Sequence, residues 1–317
     1  MSRNATIVCW LCGFVLIAGA ACAWALGSGA PATKPAASSA AAPSTRPATT
    51  PSTCPATMSA AAIAQAARHA EADRKKADEA RKKSYGGGEF AAEPAFEDDF
   101  LPGWDANQTA WDVATWKQNG TQMSPERCAT DGHGYLVQTV LAGDPALGGS
   151  LESKGEFRYG RWVGRLKPAP VAGALNSFFT DDYDDRTTPD KLGDGTKFEI
   201  DIEFVTASFG PGKGQVELAL HSAFGKKTPY GKIVDLGFNP SDDFHVYGFD
   251  ILPDRITWYA DGKVIGECKP PEGETVPDVA YEFFMNSWTA KKWVKGPPQA
   301  DAPYHIDWVR FYPRVKK

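Results

Sequence analysis

KFEIDIEFV, residues 197 to 205, alternates apolar and acidic side chains along one short segment. In an extended strand Phe198, Ile200, Ile202 and Phe204 fall on one face, and Glu199, Asp201 and Glu203 on the other. The apolar face reads as core. The acidic face needs a reason, because Glu and Asp are poor strand formers and like charges in a row repel. With a rise of roughly 3.3 Å per residue, the Cα atoms of Glu199 and Glu203 stand about 13 Å apart. Side chains leaning toward each other bring the carboxyls to about 5 to 6 Å, the separation of a retaining rather than an inverting glycosidase. One glutamate then attacks the sugar carbon while the other protonates the leaving oxygen and later activates water, with Asp201 between them. Geometry alone leaves open which glutamate plays which part. A solvated strand face with accidental acids is the bland alternative. A calcium site made of the three acids fits less well, since a strand does not wrap an ion as a loop does.

Outward from this segment the texture stays the same. From about Phe96 the chain runs through YLVQTVLAG, RWVGRLKPA, QVELALHSAF, FHVYGFDIL, RITWYADGKVI, YEFFMNSW and YHIDWVRFY, short aromatic and branched runs punctuated by Gly, Pro and Asp. Several alternate with period two, and Asp261-Gly262 is the signal of a tight hairpin. No helix-length periodic segment and no internal repeat interrupts them. The expected fold is all-β, a jelly-roll sandwich of two antiparallel sheets.

Upstream the composition changes. Residues 1 to 27 carry Arg3, a long apolar run and small residues suited to signal peptidase, so a signal peptide or uncleaved membrane anchor is expected and the protein is expected to be exported, periplasmic or secreted. Residues 28 to 89 form a low-complexity linker and helical spacer: Ala, Pro, Ser and Thr to residue 59, then a charged, Ala-rich stretch to residue 84 without a continuous apolar stripe. That stretch is expected to be a solvated helix that packs on nothing, closed by the glycines at 86 to 88. Residues 90 to 317 are the expected catalytic domain. The net charge of -5 offers no basic surplus for nucleic acid. Five scattered histidines and a single CxxC, inside the leader, argue against a structural zinc site. Cys128 and Cys268 either form a disulfide or stay as two buried thiols; spacing does not decide.

E-I-D-I-E-F resembles the catalytic signature of glycoside hydrolase family 16, the jelly-roll β-glucanases that include licheninases. FEDDF at 96 to 100, YGRWVGRLKPA at 159 to 169, NSFFT at 176 to 180, FHVYGFDILPDRITWYADGK at 244 to 263, MNSW at 285 to 288 and HIDWVRFY at 305 to 312 look like further family segments in the family order. The resemblance implies Glu199 as nucleophile, Asp201 as assisting aspartate and Glu203 as acid/base. It also implies sugar-stacking rings at Phe179, Trp288 and Trp293, a polar neighbour at Asn286, and a calcium-binding aspartate at Asp307 on the convex side. No cofactor is implied for catalysis; the calcium ion is structural.

The uninterrupted E-x-D-x-E form is similar to licheninases, xyloglucan-active enzymes and cell-wall transglycosylases, which points to β-1,3-1,4-glucan or a related bacterial exopolysaccharide. Departures exist. Lys197 and Phe198 stand where licheninases have Trp-Asp, and SLESK places Ser150 and Glu152 where a sugar-binding Glu and Arg are expected. Residues 181 to 197 form a long acidic loop. The expectation is a monomeric retaining endo-β-glycosidase acting on a polysaccharide, with a transglycosylase and a non-catalytic glycan-binding module as alternatives.

Overall fold

The computed structural model describes residues 60–317 apart from 107–108, 144–145, 183–197, 222, 227 and 316–317. The leader, the Ala/Pro linker and the acidic loop beyond Asp182 lie outside the described residues.

Strands are numbered β1 to β17 in chain order, and they form two sheets. The nine-stranded sheet runs in space as β12 (Tyr230–Asp235), β11 (Gln215–His221), β10 (Glu199–Val205), β9 (Leu175–Asp181), β16 (Glu282–Trp288), β7 (Leu147–Ser153), β4 (Thr121–Met123) and β3 (Lys117–Gln118), with β2 (Trp111–Val113) also on β7. The eight-stranded sheet runs as β15 (Lys263–Cys268), β14 (Arg255–Ala260), β13 (His245–Leu252), β8 (Gly160–Lys167), β17 (Ala302–Pro313), β6 (Leu136–Val140) and β5 (Cys128–Thr130), with β1 (Phe96–Asp98) on β17. Pairing is antiparallel except between β4 and β7. This is the expected sandwich. The β14–β15 turn is the predicted hairpin: Asp261 and Gly262 both take positive φ, 50° and 75°, which a tight turn between twisted strands requires.

The core forms where the two sheets meet, and the period-two pattern supplies it. Phe198, Ile200, Ile202 and Phe204 are fully buried, as are Phe178, Phe249, Trp162 and Phe283. Trp162 of the eight-stranded sheet stacks on Phe283 of the nine-stranded sheet, with ring centroids 3.9 Å apart and planes 11° from parallel. Phe204 meets Tyr247 edge to face at 4.8 Å. Each such side chain contributes about 1.5–3 kcal/mol by leaving water. Cys128 and Cys268 are two buried free thiols, and burial pushes the Cys128 thiol up to about 12.

The helical spacer is present as α1 (Ala60–Lys82), but its end does not stand free in solvent as the sequence suggested. Arg74 onward belongs to the same compact unit as the sandwich. Ala77 is 1% exposed, Lys76 pairs with Asp243 at 3.2 Å, and Arg81 reaches the Gly134 carbonyl at 2.9 Å. Arg81 also ion-pairs with Oδ1 of Asp307, while Arg165 of β8 holds Oδ2 at 2.6 Å. The missing apolar stripe misled because the docking uses one alanine and a set of charges. Asp307 is wholly buried, and each carboxylate oxygen already accepts from a guanidinium. That arrangement does not fit a calcium ion, which needs several free oxygen ligands and would meet two cations instead. Among the described residues, no group of three or more His, Cys, Asp or Glu side chains could hold a metal ion.

Candidate active site

β10 lies inside the nine-stranded sheet, between β9 and β11, so pairing fixes its register on both sides. With Ile200, Ile202 and Phe204 turned to the core, Glu199, Asp201 and Glu203 project from the outer face. Antiparallel pairing extends each acid into a row across the sheet. Glu199 pairs with His221 on β11 and with Asp181 on β9, and Asp181 with Glu282 on β16. Asp201 pairs with Ala219 and Phe179, and Phe179 with Phe284. Glu203 pairs with Glu217 and Ser177, and Ser177 with Asn286, which in turn pairs with Ser150 on β7.

The middle acid is the most enclosed. Asp201 is 3% exposed, while Glu199 and Glu203 are half-buried. The Asp201 backbone carbonyl accepts a hydrogen bond from the Trp258 indole, which crosses the core from β14 at 3.0 Å. Oδ2 of the Asp201 carboxylate lies 3.3 Å from Nε2 of His221. Glu217 is buried, 8% exposed, and burial raises its carboxyl above the usual carboxylate range despite His221 nearby. Glu203 therefore has a second carboxyl facing it directly across one strand pair.

The four expected sugar-binding residues share this outer face in different ways. Phe179 is half-buried and stacks on Phe284, centroids 4.9 Å apart and planes 18° from parallel, making a flat apolar step beside Asp201. Asn286 is buried, and its carbonyl oxygen, like the hydroxyls of Ser150 and Ser177 in the same row, has no hydrogen-bond partner among the described residues. Trp288, 4% exposed, lies in the next row of the same face, paired with Leu175, which pairs in turn with Val205 two residues beyond Glu203. It packs with Met123, Leu175, Val205 and Val294, because the last residue of β16 pairs with Leu175. Trp293, half-buried, stands against it edge to face at 6.5 Å. Asp307 sits apart, on the outer side of the eight-stranded sheet with Arg165. His221 and Glu217 were not singled out from the sequence, although period two in QVELALH puts Glu217, Ala219 and His221 on one face.

A two-sheet sandwich with carboxylates projecting from one strand, flanked by aromatic steps, defines a carbohydrate-active β-protein. Residues 107–310 match the model of glycosyl hydrolases family 16, more than half of the chain, and the protein belongs to that family. It is a glycoside hydrolase similar to licheninases. The chain is 31% identical to a β-glucanase of Bacillus subtilis over 202 residues, covering 62% of this chain and 74% of the relative. It is 30% identical to a β-glucanase of Paenibacillus polymyxa, covering 62% and 75%. In fold it resembles the Bacillus licheniformis β-glucanase, with a TM-score of 0.55 at 21% identity, over 71% of this chain and all of the other. An endo-β-1,3-glucanase from Pyrococcus furiosus gives a TM-score of 0.56 at 21% identity, over 73% and all of that chain.

Proposed function

We propose that the protein is a retaining endo-β-glucanase acting on β-1,3-1,4-glucan or a related exopolysaccharide. The observation that carries this reading is the register of β10, which puts Glu199, Asp201 and Glu203 side by side on the outer face while every intervening residue is locked in the core. The β-glucanase relatives and the Phe179–Phe284 step, a flat surface for the C–H face of a pyranose, support a glucan substrate. The apolar leader over residues 1 to 27 supports export.

In this reading the Glu199 carboxylate attacks the anomeric carbon as the bond to the glycosidic oxygen breaks, and Glu203 gives its proton to that oxygen. Glu203, now a carboxylate, takes a proton from water, and the water oxygen displaces Glu199 with net retention. Asp201, steadied by His221 and by Trp258 beneath it, keeps the two glutamates apart and hydrogen-bonds the nucleophile between steps. A sugar hydroxyl in place of the water gives transglycosylation, which appears as products longer than the substrate.

The test separates the two glutamates through the leaving group. Glu203→Ala loses activity on polysaccharide but still releases an activated aryl group in a burst, and azide speeds turnover to a glycosyl azide of retained configuration. Glu199→Ala gives no burst, and any azide product is inverted. The opposite pattern reverses the roles, and full polysaccharide activity in both variants removes β10 from the mechanism.

A further inference from the structure

The carboxylate of Asp307 is wholly buried, and its two oxygens are satisfied from different parts of the chain. In β17, Ile306 pairs with Leu166 and Trp308 with the adjacent Arg165, so Asp307 is the extra residue of a bulge, a device that re-aims the side chain it carries. Oδ2 accepts from Nη1 of Arg165 at 2.6 Å, a partner that belongs to the sandwich itself. Oδ1 accepts from Nη2 of Arg81, and the same nitrogen donates to the Gly134 carbonyl at 2.9 Å. Gly134 lies in the turn between β5 and β6, at a φ of 96°. One guanidinium nitrogen thus joins a turn, a strand bulge and the last turn of α1. The other terminal nitrogen of Arg81 lies 3.7 Å from Asp78, which is 52% exposed, so the contacts with Asp307 and Gly134 are the ones shielded from water. Taking Arg81 away strands half of a charged group inside the protein.

A carboxylate oxygen beside a backbone carbonyl is the kind of pair that hard cations take in proteins. Here the cation is covalently part of the chain. We propose that Asp307 and Gly134 form a guanidinium-binding site, occupied by the chain's own Arg81, which does from the end of α1 the structural work of a bound ion: it neutralises Asp307 and fastens the β5–β6 turn to β17. The site lies on the sheet opposite β10 and takes no part in the proposed displacement. Its chemistry selects a guanidinium. Arg165 already brings one positive charge to Asp307, so a divalent ion meets repulsion there, whereas a guanidinium carries a single, spread and weakly hydrated charge. Nη2 has two N–H groups, one for each acceptor. Ala77, 1% exposed, and the Lys76–Asp243 pair hold the preceding turn of α1 on the sandwich, so the Arg81 side chain arrives with part of its freedom already spent. A site of this kind accepts a free guanidinium once the side chain that fills it is cut back.

Chemical rescue tests this on the full chain. Melting temperatures of wild type and Arg81→Ala are measured with and without guanidinium chloride at tens of millimolar. At that level guanidinium lowers any protein's stability only slightly as a denaturant, and the wild type, whose site is filled, sets that baseline. Arg81→Ala melts several degrees lower than wild type. Guanidinium raises it again, and the rise saturates with concentration, as mass action on one site requires. Sodium, tetramethylammonium, which has no N–H to donate, and calcium, each as its chloride at the same ionic strength, leave Arg81→Ala low. Guanidinium that lowers Arg81→Ala as it lowers wild type overturns the proposal. Sodium, tetramethylammonium or calcium restoring Arg81→Ala as well as guanidinium does also overturns it, because the site then takes any cation. Should Arg81→Ala not fold, Arg81→Gln, which keeps an amide donor without the charge, is measured in its place and judged by the same outcomes.

Discussion

Trp258 and Asp201 are joined across the core: the indole N–H of one sheet donates to the backbone carbonyl of the central acid on the other, at 3.0 Å. Trp258 also stacks on Tyr230, centroids 4.9 Å apart, so its ring cannot tilt without disturbing a second strand beside the site. Replacing it with Phe keeps most of the packing and deletes the hydrogen bond. The expected cost is about 2–4 kcal/mol of stability, from the void and the lost partner. In addition kcat should fall about tenfold or more with a smaller change in KM, since small misplacements of reacting groups are expensive. Lower stability with unchanged kcat reduces Trp258 to ordinary packing.

Arg81 supplies a second prediction. Removing it leaves buried Asp307 with Arg165 as its remaining ion-pair partner, and breaking a buried pair costs about 3 kcal/mol. Arg81→Ala, or deletion of α1, should therefore lower the melting temperature by several degrees. Activity should be preserved at assay temperature, because the pair lies on the sheet opposite β10. Chelator should leave the wild-type melting temperature unchanged; a drop with chelator means that an ion displaces Arg81 and holds Asp307.

A third concerns acid. Burial, reinforced by Lys167, lowers the His305 imidazole from 6.5 to about 4. As pH falls below 6.5 the unfolded chain takes the proton while the folded chain resists, so stability present above that pH is lost progressively down to about 4. At pH 5 the loss amounts to about 2 kcal/mol. Denaturant unfolding at pH 7 and pH 5 checks this: the drop between them should be smaller by about that amount in His305→Gln. Equal drops in both proteins assign acid sensitivity elsewhere.

The sandwich could be read from the sequence because both its signals are local: alternation within each strand, and Asp-Gly at the β14–β15 turn. The three acids of β10 were legible for the same reason, since all sit within five residues. Glu217 and His221 were not, because their relation to Glu203 and Asp201 is a matter of register between strands, which neither segment encodes alone. The neighbours of Trp288 were hidden for the same reason: its packing with Leu175 and Val205 follows from the pairing of β16 with β9 and of β9 with β10. The docking of α1 was hidden because an Ala and an Arg that pack look like any other in an Ala-rich, charged helix.

The fastening of α1 also decides which way the enzyme faces. Arg81 is pinned behind the eight-stranded sheet, and the acids open from the front of the nine-stranded one. The end of the helix, from Arg74 on, thus holds the sandwich from the rear, as a handle does a tool. A long polymer can lie across the front without meeting that helix end, and its two ends need never be threaded past it. Substitutions at Arg81 loosen that grip and leave the working edge as it is.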